Sequence, residues 1–354
     1  MTRALLLLLW GCCPEKADDT GAVAEVDPME PGPYAPGLLQ LTLDRGDRQP
    51  PLWVWYPATG EAPPADPVAL LDPAHTAEAE ALYASAPADC PRRSVSDGRG
   101  LPVAEGGPWP AVALSHCYGC LASNLGAVAE QLASHGFVVL APEHSGDTLW
   151  DQQAGAGLPL NADTLALRLD DLAAAVDAQG ELGLPIGRVG VMGHSFGAVT
   201  AGALLQARPD TIAGGLFVGA PIENPILPGV EAAAITAPTL FLLLEEDHSI
   251  GALGNTLIEQ NVASMGGPTT LARMADAGHW SPSDLVGLTP GLMPRCGEDL
   301  RQEGGAAFAY IEPDGGRALT GALAVAFFDG LLRDGERGGA WLEGDGATGL
   351  TWER

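Results

Sequence analysis

The stretch from Gly193 to Gly197 places Ser195 between two glycines, in the spacing Gly-x-Ser-x-Gly. An apolar run rich in β-branched residues precedes it from Arg188, and an Ala/Leu-rich helical pattern follows from Ala198. This order predicts a strand, a sharp turn and a helix. Such a turn strains the backbone of the serine, and side chains at the two glycine positions would clash across it. The hydroxyl would then stand clear of the sheet edge, where a base can reach it.

A serine hydroxyl becomes a good nucleophile only when a base takes its proton, and the base needs a third group to hold its ring. The chain order to expect after a turn of this kind is nucleophile, acid, histidine. Asp247 follows the apolar run 239–244, and His279 follows a run near 269–274. Both would lie on loops at the same sheet edge as Ser195. We therefore predict Ser195 as nucleophile, Asp247 as orienting acid and His279 as general base.

Neighbouring side chains offer alternatives for two of these roles. Glu245 and Glu246 adjoin Asp247, which we favour because it lies deepest in the loop beyond its strand. His248 is the nearest rival base, but it directly follows the acid, and adjacent loop residues rarely face one partner. His194 lies inside the turn and is predicted to point into packing.

The oxyanion that forms when the serine attacks needs backbone donors. The N–H of Phe196, at the start of its helix, is placed for this. The second donor normally comes from the loop after an earlier strand, which here is Ser115-His116-Cys117-Tyr118-Gly119. We assign it to the N–H of Tyr118, with Cys117 as the alternative. The Cys117 thiol is better explained as a small buried hydrophobe than as a nucleophile, because Ser195 already occupies the turn.

From residue 110 onward, strand and helix patterns alternate. Strands are predicted at 110–115, 137–141, 188–193, 213–218, 239–244 and 269–274, and helices at 121–134, 162–178, 198–207, 253–264 and 319–332. This alternation implies right-handed crossovers and a mostly parallel sheet with helices on both faces. Two short runs, 38–43 and 52–56, predict an antiparallel hairpin before it.

The predicted organisation has four parts. Residues 1–12 have the layout of a signal peptide, 13–36 read as a flexible tether, 37–335 form one α/β domain and 336–354 a C-terminal tail. Within the domain, the Pro- and Ala-rich stretch 57–109 contains one predicted helix, 76–85. A loop region of this length is expected to wall one side of a cleft.

The leader ends in Leu9-Trp10-Gly11-Cys12, which resembles a bacterial lipobox except at Trp10, where a small residue is usual. We therefore predict an exported protein with a possible lipid anchor at Cys12, in the periplasm, at the outer membrane or at the cell surface. The alternative is an ordinary secretory signal. Outside the cytosol Cys90, Cys117, Cys120 and Cys296 can form disulfides, in any of three pairings.

The chain of 354 residues carries 45 acidic and 17 basic side chains, a formal net charge of −28. Such a chain repels the phosphate backbones of nucleic acids, so we predict no nucleic-acid partner. A metal site at Cys117-x-x-Cys120 is disfavoured because no second Cys or His pair stands at a zinc-like spacing nearby. The predicted chemistry requires no metal and no cofactor. The oligomeric state is left open.

These motifs together resemble the α/β-hydrolase superfamily, and more narrowly the bacterial relatives of platelet-activating factor acetylhydrolase and the dienelactone-hydrolase-like esterases. The resemblance runs from about Leu38 to Leu332. Its most specific parts are Trp53-Val54-Trp55-Tyr56-Pro57, Leu114-Ser115-His116-x-x-Gly119, Leu132-Ala133-Ser134-His135-Gly136-Phe137-Val138-Val139, Gly193-His194-Ser195-Phe196-Gly197 and Ala277-Gly278-His279-Trp280. It implies an α/β-hydrolase fold and a serine esterase whose triad includes Ser195 and His279.

The chain departs from these relatives at two places. Their oxyanion loop usually has glycine where this chain has Cys117. The animal acetylhydrolases place their aspartate after the strand that follows the nucleophile helix, but here that strand ends in Val218-Gly219-Ala220-Pro221. The acid then falls to Asp247, with Glu223 as a remote alternative. Enzymes named for dienelactone use a cysteine nucleophile, so Ser195 argues against that activity.

The expectation is a hydrolase of carboxylic esters that acts through an acyl-enzyme on a small-molecule or lipid substrate. The segment 220–238 is too short for a large cap, so the cleft should be open and favour short acyl groups. Phospholipid-type, polyester and small xenobiotic esters all fit. An alternative of another class is a non-catalytic surface lipoprotein that uses the fold as a binding module.

Overall fold

A computed structural model describes residues 27–292, 296–333, 341–342 and 349–353. The predicted signal peptide, Cys12 and most of the predicted tether lie outside the described residues.

The described chain forms strands and helices in close agreement with the predicted order. The strands are β1 Ala35–Thr42, β2 Pro51–Ala58, β3 Pro64–Ala65, β4 Val95–Ser96, β5 Trp109–Ser115, β6 Val138–Pro142, β7 Ile186–His194, β8 Ile212–Val218, β9 Thr239–Leu244, β10 Thr269–Met274, β11 Glu298–Leu300, β12 Ala307–Ala309 and β13 Leu350–Glu353. The helices are α1 Thr76–Ser85, α2 Gly126–Ser134, α3 Leu149–Gln153, α4 Ala162–Asp177, α5 Phe196–Ala207, α6 Gly251–Ser264 and α7 Pro313–Leu332.

Nine strands form one sheet in the order β1-β2-β6-β5-β7-β8-β9-β10-β13. The six strands from β6 to β10 in this order run parallel to one another. The hairpin of β1 and β2 and the last strand, β13, are antiparallel to their neighbours. The predicted mostly parallel sheet with an antiparallel N-terminal hairpin is thus confirmed. Its carboxyl edge carries the loops after β5, β7, β9 and β10.

The two faces of the sheet carry separate hydrophobic cores, because side chains alternate along each strand. Val191 of β7 packs with α4, α5 and α6 on one face, through residues such as Leu172, Leu204 and Ile258. Met192, the next residue of β7, packs with α2 and α7 on the other face. Strands covered on both faces read as continuous apolar runs, which is why the sequence located them well.

The last helix, α7, has the length and apolar composition of a membrane-crossing segment. Most of its apolar stretch is buried within the domain, where it packs beside α2 against the sheet. No other helix of the described ranges has both properties.

Two short segments pack differently from their prediction. Residues 27–36, assigned to the tether, dock on α2, because Gln131 donates to the carbonyls of Pro28 and Glu30 and the N–H of Gly32 donates to Ser134. The C-terminal stretch assigned to the tail contains β13, which extends the sheet beyond β10. Both segments are short and contribute few apolar side chains to the cores, so they leave no hydrophobic periodicity in the sequence.

The stretch 57–109 packs beside α2, and the two form a mostly apolar pocket that is partly open to solvent. Its lining includes Trp53, Leu82, Leu121 and Leu285. Arg93 anchors this wall through hydrogen bonds of 2.8–3.1 Å to the carboxylates of Asp284 and Glu130.

Candidate active site

The predicted turn between β7 and α5 places Ser195 at φ 57° and ψ −123°, in a region that residues other than glycine rarely adopt. Strain of this kind costs roughly 1–3 kcal/mol and persists only where the surroundings enforce it. The Ser195 N–H donates to the carbonyl of Val218 at 2.8 Å, which fixes the turn to the end of β8. The hydroxyl of Ser195 has no hydrogen-bond partner within the described ranges. Its backbone is therefore held while its side chain stays free to react.

Both flanking glycines are required by close backbone contacts. A Cβ on Gly193 would overlap the carbonyl of Gly197. A Cβ on Gly197 would overlap the carbonyls of Ser115 and His116, which lie directly against the start of α5. The second glycine therefore lets the loop after β5 approach the serine closely.

Asp247 and His279 meet on the neighbouring loops. Asp247 Oδ2 lies 2.6 Å from His279 Nδ1, and Asp247 Oδ1 accepts from the N–H groups of Ser249 and Ile250 at 3.0 Å. Both side chains are buried, with His279 2% and Asp247 0% exposed. A carboxylate with both oxygens bonded in this way holds the imidazole with its Nδ1–H toward the acid, which leaves Nε2 as the basic atom.

The end of β8 brings the three residues together. The carbonyl of Val218 accepts from Ser195, and the next residue, Gly219, borders His279 Nδ1 and Asp247 Oδ2 closely enough that a side chain there would touch both. His194 also links the two loops, because its Nε2 lies 2.8 Å from the carbonyl of His279. The end of β8 thus contacts both the turn that carries Ser195 and the Asp247–His279 pair.

The competing acids and bases are engaged elsewhere. Glu246 bonds Arg301 at 2.8 Å and the N–H of Gln302 at 2.9 Å. Glu223 accepts from the N–H of Ala232 at 2.7 Å. The two glutamates are thus bonded to partners other than His279. The His248 Nε2 lies 3.7 Å from Glu246 and has no hydrogen-bond partner within the described ranges.

The loop 115–119, called the β5 loop below, lies beside Phe196 as predicted. The rings of Tyr118 and Phe196 are 6.3 Å apart, and the Tyr118 hydroxyl donates to the carbonyl of Leu158 at 2.7 Å. The N–H of Gly119 donates to Asp147, whereas the N–H groups of Cys117 and Tyr118 find no acceptor among residues 27–292 and the other described ranges. Cys117 or Tyr118 can therefore supply the second donor.

The disulfides resolve the pairing that the sequence left open. Cys117 joins Cys120 within the β5 loop and the turn after it, and Cys90 joins Cys296. The first bridge occupies the place of the glycine found in related loops. The second ties the wall 57–109 to the segment that follows His279. Both sulfurs of the β5-loop bridge are engaged, so Cys117 has no free thiol to act as a nucleophile.

A buried polar network beneath the β5 loop has no counterpart in the sequence prediction. Ser115 Oγ lies 3.0 Å from His144 Nε2, and His144 Nδ1 lies 3.2 Å from Asp171, which Arg48 bonds bidentately. This second Ser-His-Asp set is fully buried, and Arg168 also donates to Ser115 Oγ at 3.1 Å. It is therefore a structural network, closed to substrate. Its only sequence signal is the pair of charged residues, Arg168 and Asp171, on the apolar face of α4.

Three histidines of this region are buried and neutral. Burial, the largest cause in each case, holds the pKa of His116, His144 and His194 well below the usual value. In His194, Nδ1 accepts from the Asn124 amide at 3.1 Å while Nε2–H donates to the His279 carbonyl. A second proton would also displace the Asn124 bond, which adds to the effect of burial.

This burial predicts an acid-labile fold. Because the folded pKa of His194 is depressed, its neutral ring contributes stability above the unfolded pKa of about 6.5, and that contribution is lost as the pH falls below it. Wild type should therefore lose stability relative to His194→Gln as the pH falls. We expect the difference between their free energies of unfolding to narrow by about 1.4 kcal/mol per pH unit below pH 6. Urea titrations at pH 5, 6 and 7 measure this difference, and a constant gap would contradict it.

Within the described parts of the chain, no group of three or more His, Cys, Asp or Glu side chains is arranged to hold a metal ion.

The chain is similar to known proteins both in sequence and in fold. The model of the dienelactone hydrolase family matches residues 100–280, which include Ser195, Asp247 and His279. Cutinase est2 of Thermobifida alba is 35% identical over 106 residues, which are 30% of this chain and 33% of that protein. The chain therefore matches about a third of that relative's length.

A ferulic acid esterase from Streptomyces cinnamoneus has a similar solved structure, with a TM-score of 0.65 and 19% sequence identity. The match covers 91% of this chain and 96% of that one, so nearly the whole fold is shared. The nine-stranded sheet is accordingly an α/β-hydrolase sheet. Because the family match spans just over half of its 354 residues, the chain belongs to the dienelactone hydrolase family.

Proposed function

We propose that the chain is a serine hydrolase of carboxylic esters. The observation that carries this proposal is the strained, unpartnered Ser195 beside the buried Asp247–His279 pair. His279 Nε2 takes the proton of Ser195 as Oγ attacks the ester carbonyl, and Asp247 stabilises the imidazolium that forms. His279 then protonates the leaving alcohol as the tetrahedral intermediate collapses to an acyl-enzyme. Water, deprotonated by the same ring, attacks the acyl-enzyme and releases the acid and free Ser195.

The oxyanion of each tetrahedral intermediate would be held by the N–H of Phe196 and that of Tyr118. Phe196 is the first residue of α5, so its N–H is one of the donors that a helix leaves unused at its start. The positive end of the helix dipole also favours negative charge there. Cys117 remains the alternative second donor.

The proposed substrate has a short acyl group, with platelet-activating-factor-like phospholipids as one class. The segment between β8 and β9 contains one short 3-10 turn, Ala232–Ala234, and no longer helix that would cap the serine. The named relatives act, by their names, on cutin and on ferulic acid esters. Polyesters and small aromatic esters are therefore the competing substrate classes.

Hydrolysis rates across acetyl, butyryl and octanoyl esters of one chromogenic alcohol test this proposal, followed by short-chain phosphatidylcholine. We expect the acetyl or butyryl ester to have the highest kcat/KM, and Ser195→Ala to lower each rate to near background. A preference for octanoyl would refute the open, short-acyl cleft. Activity that survives in Ser195→Ala would refute the serine mechanism itself.

We further propose that the protein is exported and anchored through a lipid on Cys12. The two disulfides support export, because such bonds persist in oxidising compartments. Radiolabelled palmitate should label the wild-type protein in a bacterial host and leave Cys12→Ser unlabelled. Equal labelling of both proteins, or of neither, would contradict the anchor.

A further inference from the structure

Arg168, in the middle of α4, lies with its guanidinium fully buried beneath the β5 loop. Its Nη2 donates to the carbonyl of His116 and its Nη1 to the carbonyl of Cys117, the latter at 3.4 Å. The His116 ring also donates from Nδ1 to the Cys117 carbonyl at 2.7 Å, since its Nε2 accepts from the N–H of His144. Two successive carbonyls of the loop therefore face the same cation.

The orientation of these carbonyls decides where the next two N–H groups point. In a trans peptide the C=O of one residue and the N–H of the following residue point in opposite directions. The peptides after His116 and Cys117 are both trans. The N–H groups of Cys117 and Tyr118, the two candidates for the second oxyanion donor, consequently point away from Arg168. The two carbonyls therefore point toward Arg168, and the two N–H donors point to the opposite side of the loop.

The same guanidinium also contacts the side of the site that carries the first donor. It lies 4.5 Å from the centre of the Phe196 ring, in cation–π contact. Its Nε donates to Thr200 Oγ1 at 3.2 Å, and that hydroxyl donates to the carbonyl of Phe196 at 3.0 Å. One buried cation thus links both elements that would hold the oxyanion.

Asp147 completes the arrangement. It forms a buried ion pair with Arg168 through Oδ2 and accepts from the N–H of Gly119 through Oδ1 at 2.9 Å. Gly119 has φ +61°, so the loop turns sharply at this bond. The pair fixes the far end of the β5 loop, and it offsets the cost of burying the charge.

We propose that Arg168 is a positioning residue for the oxyanion hole: it orients the N–H groups of the β5 loop and holds that loop against the first turn of α5, without touching substrate. This proposal rests on the proposed serine hydrolase function. A planar guanidinium with five N–H donors can serve these acceptors at once, whereas a lysine ammonium has three donors at one point. Arg168→Lys should therefore keep the charge and lose the geometry.

The main experiment compares Arg168→Lys with Arg317→Lys, another buried arginine, which bonds Ser283 and Asp314 away from the β5 loop. We expect kcat of Arg168→Lys to fall about 100-fold with KM within about threefold, as for a misplaced oxyanion donor. Affinity for a trifluoromethyl ketone, which forms a tetrahedral oxyanion with the serine, should fall by the same factor as kcat/KM. Arg317→Lys should keep both values within about threefold of wild type.

A kcat for Arg168→Lys within threefold of that for Arg317→Lys would overturn the proposal, and so would a loss of kcat with unchanged ketone affinity.

If Arg168→Lys does not fold, Thr200→Val replaces it, with Thr320→Val as its control. Thr320 makes the same buried bond to the carbonyl four residues earlier, but in α7. We expect a loss of roughly three- to tenfold in kcat and in ketone affinity for Thr200→Val alone. Equal values for the two threonine variants would overturn the proposal.

Absence of ester hydrolysis by wild type would instead refute the proposed function.

Discussion

Replacing His279 with glutamine should lower kcat for a soluble ester by at least about 10⁴-fold, because we assign no other base to Ser195 among the described residues. Glutamine is close to histidine in size and cannot accept the serine proton. His248→Gln is the matched control, since that histidine lies in the neighbouring loop and faces Glu246. We expect its kcat to stay within about threefold of wild type. Initial rates with a chromogenic acetyl ester measure both.

Replacing the acid, Asp247, should also slow hydrolysis, but its effect should not add to that of replacing His279. Asp247→Asn should retain the hydrogen bonds to Ser249 and Ile250 but lower kcat by about 10³- to 10⁴-fold, because the amide would favour the wrong tautomer of His279. Because the three residues act as a unit, the double variant with His279→Gln should be scarcely slower than His279→Gln alone. A double variant slower by the product of the two losses would contradict a shared role.

We expect the Cys90–Cys296 disulfide to matter more for stability and the Cys117–Cys120 disulfide to matter more for activity. In the chain-entropy description, closing a longer loop stabilises the fold more, so the Cys90–Cys296 bridge, with a sequence separation of 206, contributes about 5 kcal/mol. The Cys117–Cys120 bridge, with a separation of 3, contributes about 2 kcal/mol. Replacing each pair by serines should therefore lower the free energy of unfolding most for Cys90 and Cys296.

Denaturant titrations of the two double variants measure this difference, and hydrolysis rates complete the comparison. We expect the Cys117/Cys120 variant to lose more of its kcat, because that bridge ties Cys117 of the β5 loop to the turn after it. The Cys90/Cys296 variant should keep most of its kcat at temperatures where it remains folded. A larger loss of unfolding free energy in the Cys117/Cys120 variant than in the Cys90/Cys296 variant would contradict this prediction.

The sequence was sufficient to predict the residues around the sheet edge because they follow buried strands. A parallel strand covered on both faces is a continuous apolar run, so the ends of β7, β9 and β10 were visible, and with them the positions of Ser195, Asp247 and His279. The choice of Asp247 over its glutamate neighbours rested on depth in the loop. The structure places Asp247 Oδ2 2.6 Å from His279 Nδ1, and the catalytic role of Asp247 stays a prediction.

Other features depend on contacts between distant segments and left little trace in the sequence. The Arg168 network joins α4 to a loop some fifty residues earlier, so the arginine appeared only as a charge on an apolar helix face. The cysteine pairing depends on where the wall 57–109 meets the segment after His279. The strand β13 is an edge strand of four residues that pairs with β10, too short to show an apolar pattern.

Labelling with a fluorophosphonate probe tests the central claim most directly, because the probe reacts covalently only with a serine that its own site has activated. Mass spectrometry of the labelled protein should show one adduct, on Ser195, in the wild-type protein. Ser195→Ala should carry no adduct, and His279→Gln should label far more slowly. An unlabelled wild-type protein, or an adduct retained by Ser195→Ala, would contradict the assignment of Ser195 as the nucleophile.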